Sequence, residues 1–447
     1  MNRPFKYIVV SVSTILVALI LGGSLVGQSR VASAETGTPY RHLSVYAEVL
    51  GKIKSDYVEE PDMKNVTLGA INGLLVSIDP FASYLNAEQY KQYSKAKELK
   101  RAGVGLVLSR KYGYEINIVD AIPGTPADKA GLSTGDILES LNGIQTRDMP
   151  LAFAEILLEG DPGTTVDLTV LRLRKPDPTT IKLIRAEIKP VPIVSKMIDA
   201  QTGLIQVHNL NQGKSAEVAA AVKDLIKQGA KRLVLDLRHD AVSSVEEGVA
   251  VANLFLEKGT IATLQGQKVP KKSFEADPSK TIYTGPLVVL TNRGTLGAAE
   301  IVAAALTDNK RAQVVGERTF GDAAVRRAVP TEDGGAVLLA VAKYYSPAGK
   351  AIQDTPVVPA FMVNDIDGDL VDEDAEESPA PIPAPGATQP AAKKTGEDPV
   401  LKKALDVLNG TAIPDAAKDA AKTAPQPARP KTDMTSPTAP DNPPHQK

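Results

Sequence analysis

Between His239 and Ser244 the chain reads His-Asp-Ala-Val-Ser-Ser, which gathers a base, a carboxylate and two hydroxyls into six residues. These are the side chains of acyl-transfer chemistry, in which a hydroxyl becomes a nucleophile once a neighbouring base takes its proton. Such catalysis depends on convergence in space, and adjacent residues on one loop rarely converge on each other. His239-Asp240 is therefore read as a polar turn, and His208 as a satisfied structural histidine. Other chemistries fall away on composition. The chain has no cysteine, which excludes thiolate nucleophiles, disulfide scaffolds and thiolate metal sites. Its four histidines (His42, His208, His239, His445) are scattered, so no His-rich zinc site is expected, and no cofactor. Asp365, Asp367 and Asp369 are spaced like the start of a calcium loop. The sixth position of such a loop must be glycine and here is Leu370, so this stretch is read as a solvated acidic linker. A different recognition chemistry is carried by Arg101-Ala102-Gly103-Val104-Gly105-Leu106. A glycine-containing turn entering a strand can aim successive backbone N–H groups at one point, a nest for a terminal carboxylate, beside a strand edge to which a peptide can add.

The elements that must hold these residues follow from length and pattern. A chain of 447 residues corresponds to about three domains. The 51 Lys+Arg nearly cancel the 53 Asp+Glu, and a net charge of −2 argues against a nucleic-acid partner. Arg3 and Lys6 precede an uncharged apolar run from Tyr7 to Val26, followed by Ala32-Ser33-Ala34. That pattern predicts a signal peptide or signal anchor over 1–34, with the rest of the chain outside the cytoplasmic membrane. Residues 40–98 read as a helical region broken at Asp79-Pro80. From Pro190 the pattern alternates strands (Leu204-Ile205-Gln206-Val207, Arg232 to Arg238, Leu287 to Thr291) with helices (Ser215 to Lys227, Ala298 to Leu306). This is mixed α/β architecture, in which functional groups sit in loops after the strand C-termini. The last 70 residues hold 14 of the 33 prolines, so they are expected to form no packed core. One island stands out: Asp398-Pro399 caps and starts a helix over 398–409 whose apolar face is Val400, Leu401, Ala404, Leu405 and Leu408.

Downstream of the glycine turn come Ile122-Pro123-Gly124-Thr125-Pro126-Ala127, Lys129-Ala130-Gly131-Leu132, Thr134-Gly135-Asp136-Ile137-Leu138 and Asn142-Gly143. In that order and spacing they resemble a bacterial PDZ domain over 99–188. By that resemblance Val104, Gly105 and Leu106, entered through Gly103, bind a peptide carboxylate, and the Leu151 to Leu158 helix lines the groove.

The body as a whole resembles the carboxyl-terminal processing, or tail-specific, protease family. The likeness is carried by Asp79-Pro80-Phe81-Ala82-Ser83-Tyr84-Leu85, the PDZ segments, Leu235-Asp236-Leu237-Arg238, Val315 to Gly321 and Tyr344 to Gly349. It implies an α/β protease-like core over 189–362 and an acidic, then Pro/Ala-rich tail over 363–447. Family members are serine endopeptidases that use a serine, a lysine as general base and a glutamine that orients the lysine. Carried over residue by residue, those positions are Gly297, Asp322 and Arg326. A glycine has no hydroxyl, and an arginine cannot act as a base. The family's glycine-rich turn after the Asp-Leu-Arg strand, which helps build the oxyanion hole, is replaced by His239-Asp240-Ala241-Val242. Thr295 is the nearest hydroxyl in sequence, and an Asp322–Arg326 ion pair can form across the short spacing. The expectation is an exported, periplasmic or extracytoplasmic homologue without catalysis that binds C-terminal segments of envelope proteins. Self-association, an active relative as partner and contact with the inner membrane through the N-terminal segment complete it. The alternative is an active serine-type endopeptidase with relocated groups.

Overall fold

A computed structural model describes residues 39–98, 102–110, 115–147, 149–172, 175–364 and 398–411. The N-terminal apolar run, the acidic linker and most of the Pro/Ala-rich tail lie outside the described residues.

Two helices open the chain, α1 (Pro39–Asp56) and α2 (Met63–Val76). Asp62 starts the second by accepting from the N–H groups of Lys64 at 3.0 Å and Asn65 at 3.3 Å, two of the donors a helix start leaves open. Among the described residues, those up to Ile71 form one compact unit and those from Asn72 a second. Early in the second unit, the segment read as helical contains a short strand, β1 (Ser83–Leu85), before α3 (Ala87–Glu98). β1 pairs in a sheet with a strand some 250 residues later, a partner no local pattern announces.

The next region is an antiparallel sheet of β2 (Leu106–Ser109), β3 (Ile116–Ala121), β4 (Ile137–Leu141), β5 (Ile144–Gln145), β6 (Thr165–Arg172) and β7 (Lys175–Ile184). The order is β2-β3-β4-β6-β7, with β5 on β4. Alternation does the sorting: on β6, Val166, Leu168 and Val170 are fully buried while the residues between them are not. The short helix α4 (Pro126–Lys129) and α5 (Leu151–Leu158) close the region, which is the expected PDZ architecture.

The core then builds a six-membered sheet from β8 (Val194–Met197), β9 (Thr202–Gln206), β10 (Arg232–Asp236), β13 (Leu287–Thr291), β14 (Gln313–Gly316) and β17 (Phe361–Met362), all parallel except β8. Both faces are covered, which is why β13 reads as an unbroken buried apolar run. On one face pack α6 (Lys214–Lys227), α7 (Val245–Asn253) and α8 (Ala298–Asp308). On the other lies α9 (Pro399–Leu408), through fully buried Val400 and Ala404. Asp398 caps α9 by accepting from Leu401 N–H at 2.9 Å, as its sequence announces. A second sheet runs β1-β16-β11-β12, with β15 on β16; its members are β11 (Thr260–Gln265), β12 (Lys272–Glu275), β15 (Ala324–Pro330) and β16 (Ala336–Tyr345). The C-terminal ends of β9, β10 and β13 share one edge, and the loops after them meet there, Leu210 with Ser243 and His239 with Asn292, at a junction referred to as the cleft.

Candidate functional site

Gly297 is the N-cap of α8, with φ +59° and ψ −113°. A side chain is strained there, and the sharp strand-to-helix turn presents whatever stands at 297 to the cleft. A Cβ placed on Gly297 would stand 3.2 Å from Ser243 Oγ and 3.7 Å from the Asp322 carbonyl oxygen. The positions assigned by resemblance to nucleophile and base are therefore neighbours. They are tied together by Glu300, fully buried at the third position of α8. Its Oε2 accepts from Gly297 N–H at 3.1 Å and Asp322 N–H at 2.7 Å; its Oε1 accepts from Gly321 N–H at 2.7 Å and from the Thr319 hydroxyl. Burial pushes the Glu300 carboxyl up to about 7, against the pull of these hydrogen bonds.

Asp322 accepts a hydrogen bond from the Arg326 guanidinium through Oδ1. The pair is partly buried, with side chains 17% and 27% exposed. A register shift interrupts the β15–β16 pairing between Val325 and Arg326. The Arg326 guanidinium carbon lies 4.4 Å from the centroid of the Phe81 ring. Phe81 is set by Asp79, whose Oδ1 accepts from Phe81 N–H at 3.0 Å and Gln353 Nε2 at 3.1 Å. Phe81 in turn meets Phe320 edge-on, centroids 6.0 Å apart. The positions that the resemblance assigns to base and glutamine thus hold an anion, Asp322, and a cation, Arg326, paired with each other.

The hydroxyls and the histidine of the sequence do not assemble into a triad. Thr295 is fully buried; its hydroxyl donates to the Leu237 carbonyl at 2.9 Å and accepts from Asn292 N–H at 3.1 Å. Ser244 pairs with Glu246 at 2.7 Å, and Ser243 Oγ accepts from Ala298 N–H at 3.0 Å, filling an open donor of α8. His239 turns the other way. Asn292 Oδ1 accepts from the N–H groups of His239 (3.1 Å) and Gly294 (3.0 Å), which leaves Asn292 Nδ2 to donate to His239 Nε2 at 2.9 Å. His239 Nδ1 therefore carries the proton and donates it to Asp120 Oδ1 at 2.9 Å. Asp120 belongs to β3 of the PDZ region, so this contact joins two domains. Asp240, the acid beside His239 in sequence, is fully buried and makes no hydrogen bond to it. His208 lies just past β9 and is held toward its neutral form chiefly by burial, against the pull of Asp236 and a hydrogen bond to the Arg238 backbone. Neither Asp120 nor Asn292 stood out in the sequence.

The glycine turn of the PDZ region has a definite orientation. The Val104 carbonyl accepts from Ala127 N–H and the Gly105 carbonyl from Ile122 N–H, both at 2.9 Å. With the carbonyls turned inward, the N–H groups of Val104 and Gly105 make no backbone hydrogen bond among the described residues. Gly105 has φ +82°, and a Cβ there would lie 2.4 Å from the Thr125 side chain. Gly103 pairs with Ala186, Val104 is buried, and Leu106 opens β2, half-buried. α5 runs alongside β2 and is fastened at both ends. Ala102 bridges to Gly160 beyond its C-terminus, and Arg110, at the far end of β2, donates to the carbonyls of Thr146 (2.8 Å) and Met149 before its N-terminus. Among the described residues, no group of three His, Asp or Glu side chains is placed to hold a metal ion.

Residues 201–363 match the model of peptidase family S41, and residues 118–172 that of a PDZ domain. The chain is 31% identical over 352 residues to a carboxy-terminal-processing protease of Bartonella bacilliformis, covering 77% of this chain and 80% of that one. It is 34% identical over 365 residues to the carboxy-terminal processing protease CtpA of Bacillus subtilis, covering 80% and 77%. Among solved structures, the photosystem II D1 C-terminal processing protease superposes with a TM-score of 0.58 at 27% identity, covering 71% of this chain and 92% of that one.

Proposed function

This chain belongs to the carboxy-terminal processing protease family, and from that membership we propose that it is a member without hydrolytic activity that captures protein C-termini through its PDZ domain. The observation that carries the reading is the cleft. Gly297 stands where the family resemblance puts the nucleophile, and the Asp322–Arg326 pair fills the base and glutamine positions. A hydroxyl needs a base of suitable pKa to react, and a guanidinium held by a carboxylate is not one. The capturing half is supported by the inward-turned carbonyls of Val104 and Gly105, which free two successive N–H groups for a terminal carboxylate. The N-terminal apolar run supports a location outside the cytoplasmic membrane, in the periplasm or its equivalent, with C-terminal segments of envelope proteins as ligands. Self-association or pairing with an active relative would then present captured chains to a working protease.

The test incubates the chain from Glu35 onward with unstructured proteins that end in apolar residues, beside an active family member. Mass spectrometry scores new C-terminal fragments. None is expected from this chain while the active member cuts, and fragments that persist through repurification overturn the reading.

One observation favours a second reading. Ser243 Oγ lies beside the place the family hydroxyl would occupy, against the α8 N-terminus. In that reading the chain is an active endopeptidase with Ser243 as relocated nucleophile, and Ser243→Ala abolishes any cleavage found.

A further inference from the structure

At the end of the six-membered sheet away from the cleft, the last turn of α9 walls a pocket of about 410 Å³ between the start of β13 and the start of β14. That volume lies within the range of small-molecule sites. Leu287, Val407 and Leu408 supply an apolar wall, and Lys310 and Arg311 a cationic side. The wall follows from the way α9 is seated. The helix runs antiparallel to β10, with Asp398 paired to Arg238 at one end and Asn409 accepting from Arg232 at the other. Those two fastenings hold Val407 and Leu408 beside the starts of β13 and β14.

Lys310 is the residue that points to a ligand. It follows Asn309, the C-cap of α8, in left-handed backbone with φ +57°. The turn is a regular helix ending, in which Lys310 N–H donates to the Thr307 carbonyl at 2.9 Å and Arg311 N–H to the Leu306 carbonyl at 2.8 Å. Glycine ordinarily takes that place, because a side chain there crowds the backbone. A lysine thus stands where the helix ending alone favours glycine. Its ammonium has no ion pair or hydrogen bond among the described residues. Arg311 is different, because the backbone fixes it. Its Nε donates to the Phe255 carbonyl and its Nη2 to the Gly285 carbonyl, both at 2.8 Å. The pocket therefore has one immobile positive charge and one that can swing onto a guest. Nearby acids have other engagements: Asp308 accepts from Ala348 N–H at 2.9 Å, and Glu257 acts on Arg311.

We propose that this pocket binds a short aliphatic carboxylate, its headgroup on the Lys310 ammonium and its chain against Leu287, Val407 and Leu408. A neutral apolar guest would leave the unpaired cation unused, and a bare anion would leave the apolar wall wet. A carboxylate with a short chain answers both, and a lysine suits it as a mobile point charge. Since α9 contributes one wall, a guest in the pocket also stabilises the seated helix by mass action. The site is built from β13, β14, α8 and α9 alone, so the proposal does not depend on whether the cleft hydrolyses anything or the PDZ turn binds a peptide.

The test titrates the full chain with hexanoate, hexanol and inorganic phosphate by calorimetry. Saturable binding of hexanoate is expected, with hexanol and phosphate each weaker by about tenfold or more. Lys310→Gly should weaken hexanoate by about tenfold or more. Its melting temperature should equal or exceed that of wild type, because glycine suits the left-handed position. This combination separates a ligand-binding lysine from a structural one. Saturating hexanoate should also slow hydrogen exchange at residues 401–408 in the wild-type chain and not in Lys310→Gly. If Lys310→Gly does not fold, Lys310→Asn takes its place, since asparagine also tolerates this backbone. The proposal is overturned by the absence of saturable hexanoate binding, or by hexanol or phosphate binding equally well. It is overturned equally by an affinity unchanged in whichever variant folds, or by exchange at 401–408 that hexanoate does not slow.

Discussion

At the scale of the residue, the backbone of the glycine turn is set by Gly105. Its φ of +82° and the Thr125 side chain 2.4 Å from any added Cβ mean that Gly105→Ala must distort the turn. The expected outcome is a loss of roughly 1–3 kcal/mol in stability and of at least tenfold in affinity for a C-terminal peptide, by calorimetry. Gly103→Ala has its nearest neighbour at 3.9 Å, so its melting temperature should stay close to wild type. The cleft invites the reverse experiment. Placing serine, lysine and glutamine at the positions the resemblance assigns, by Gly297→Ser, Asp322→Lys and Arg326→Gln, is expected to give no cleavage. The 239–242 turn stays pinned by Asn292 and Asp120 and lacks the glycines that let backbone approach an oxyanion. Product from the triple variant, seen by mass spectrometry, would refute that explanation. Legibility at this scale was uneven. The positions read as substituted were counted from Glu300-Ile301 on the resemblance alone. The Asp120–His239 contact spans 119 residues, and no local period encodes it.

At the scale of the element, α8 and α9 depend on their first turns. Glu300 gathers two N–H groups and a hydroxyl of the 319–322 segment onto the start of α8, besides closing the cap at Gly297. Glu300→Ala leaves those buried donors without an acceptor and should cost about 3 kcal/mol or more, measured by chemical denaturation. Asp398 both caps α9 and pairs with Arg238 at 2.7 Å. Asp398→Ala is expected to weaken the helix by about 1–2 kcal/mol, read as faster hydrogen exchange at residues 401–408. Most of these elements are visible as periodicity in the chain: the buried runs of β10 and β13, the stripe of α6, the proline-started α9. β1 was not, because three residues carry no period and their pairing with β16 is set from far along the sequence. The register shift beside Arg326 was hidden for a like reason, since it belongs to a pair of strands and not to either one.

At the scale of the molecule, opposing sets of acids shape the response to pH. Glu300 is raised to about 7 in the folded chain, above its unfolded value near 4.5. Its contribution is therefore present below about pH 4.5 and lost as pH rises toward 7. Asp236, held below the usual range against its burial by Arg238, and Asp333, lowered to about 2 by its hydrogen bonds to Thr331 and Tyr84, act in the other direction. Their contribution is present above about pH 4 and lost on acidification through the lowered values. Calorimetry should find the highest melting temperature near pH 4–5, with a decline toward pH 7 that Glu300→Gln flattens. A melting temperature that climbs steadily from pH 5 to pH 7 would show that Glu300 is ionised throughout that range.

The seating of α9 has a consequence for any nicked sample. Thirty-three residues separate Asn364 from Asp398, and α9 fills its place on the sheet through Val400 and Ala404. While that connection is whole, the helix meets its place at an effective concentration of roughly millimolar order. One cut anywhere in the connection makes 398–411 a separate ligand that obeys mass action. Dilution would then empty the place and concentration would refill it, and a synthetic peptide of the same residues would compete for it. Such a preparation would behave as two species whose proportions follow the dilution factor, although every molecule in it had the same covalent history.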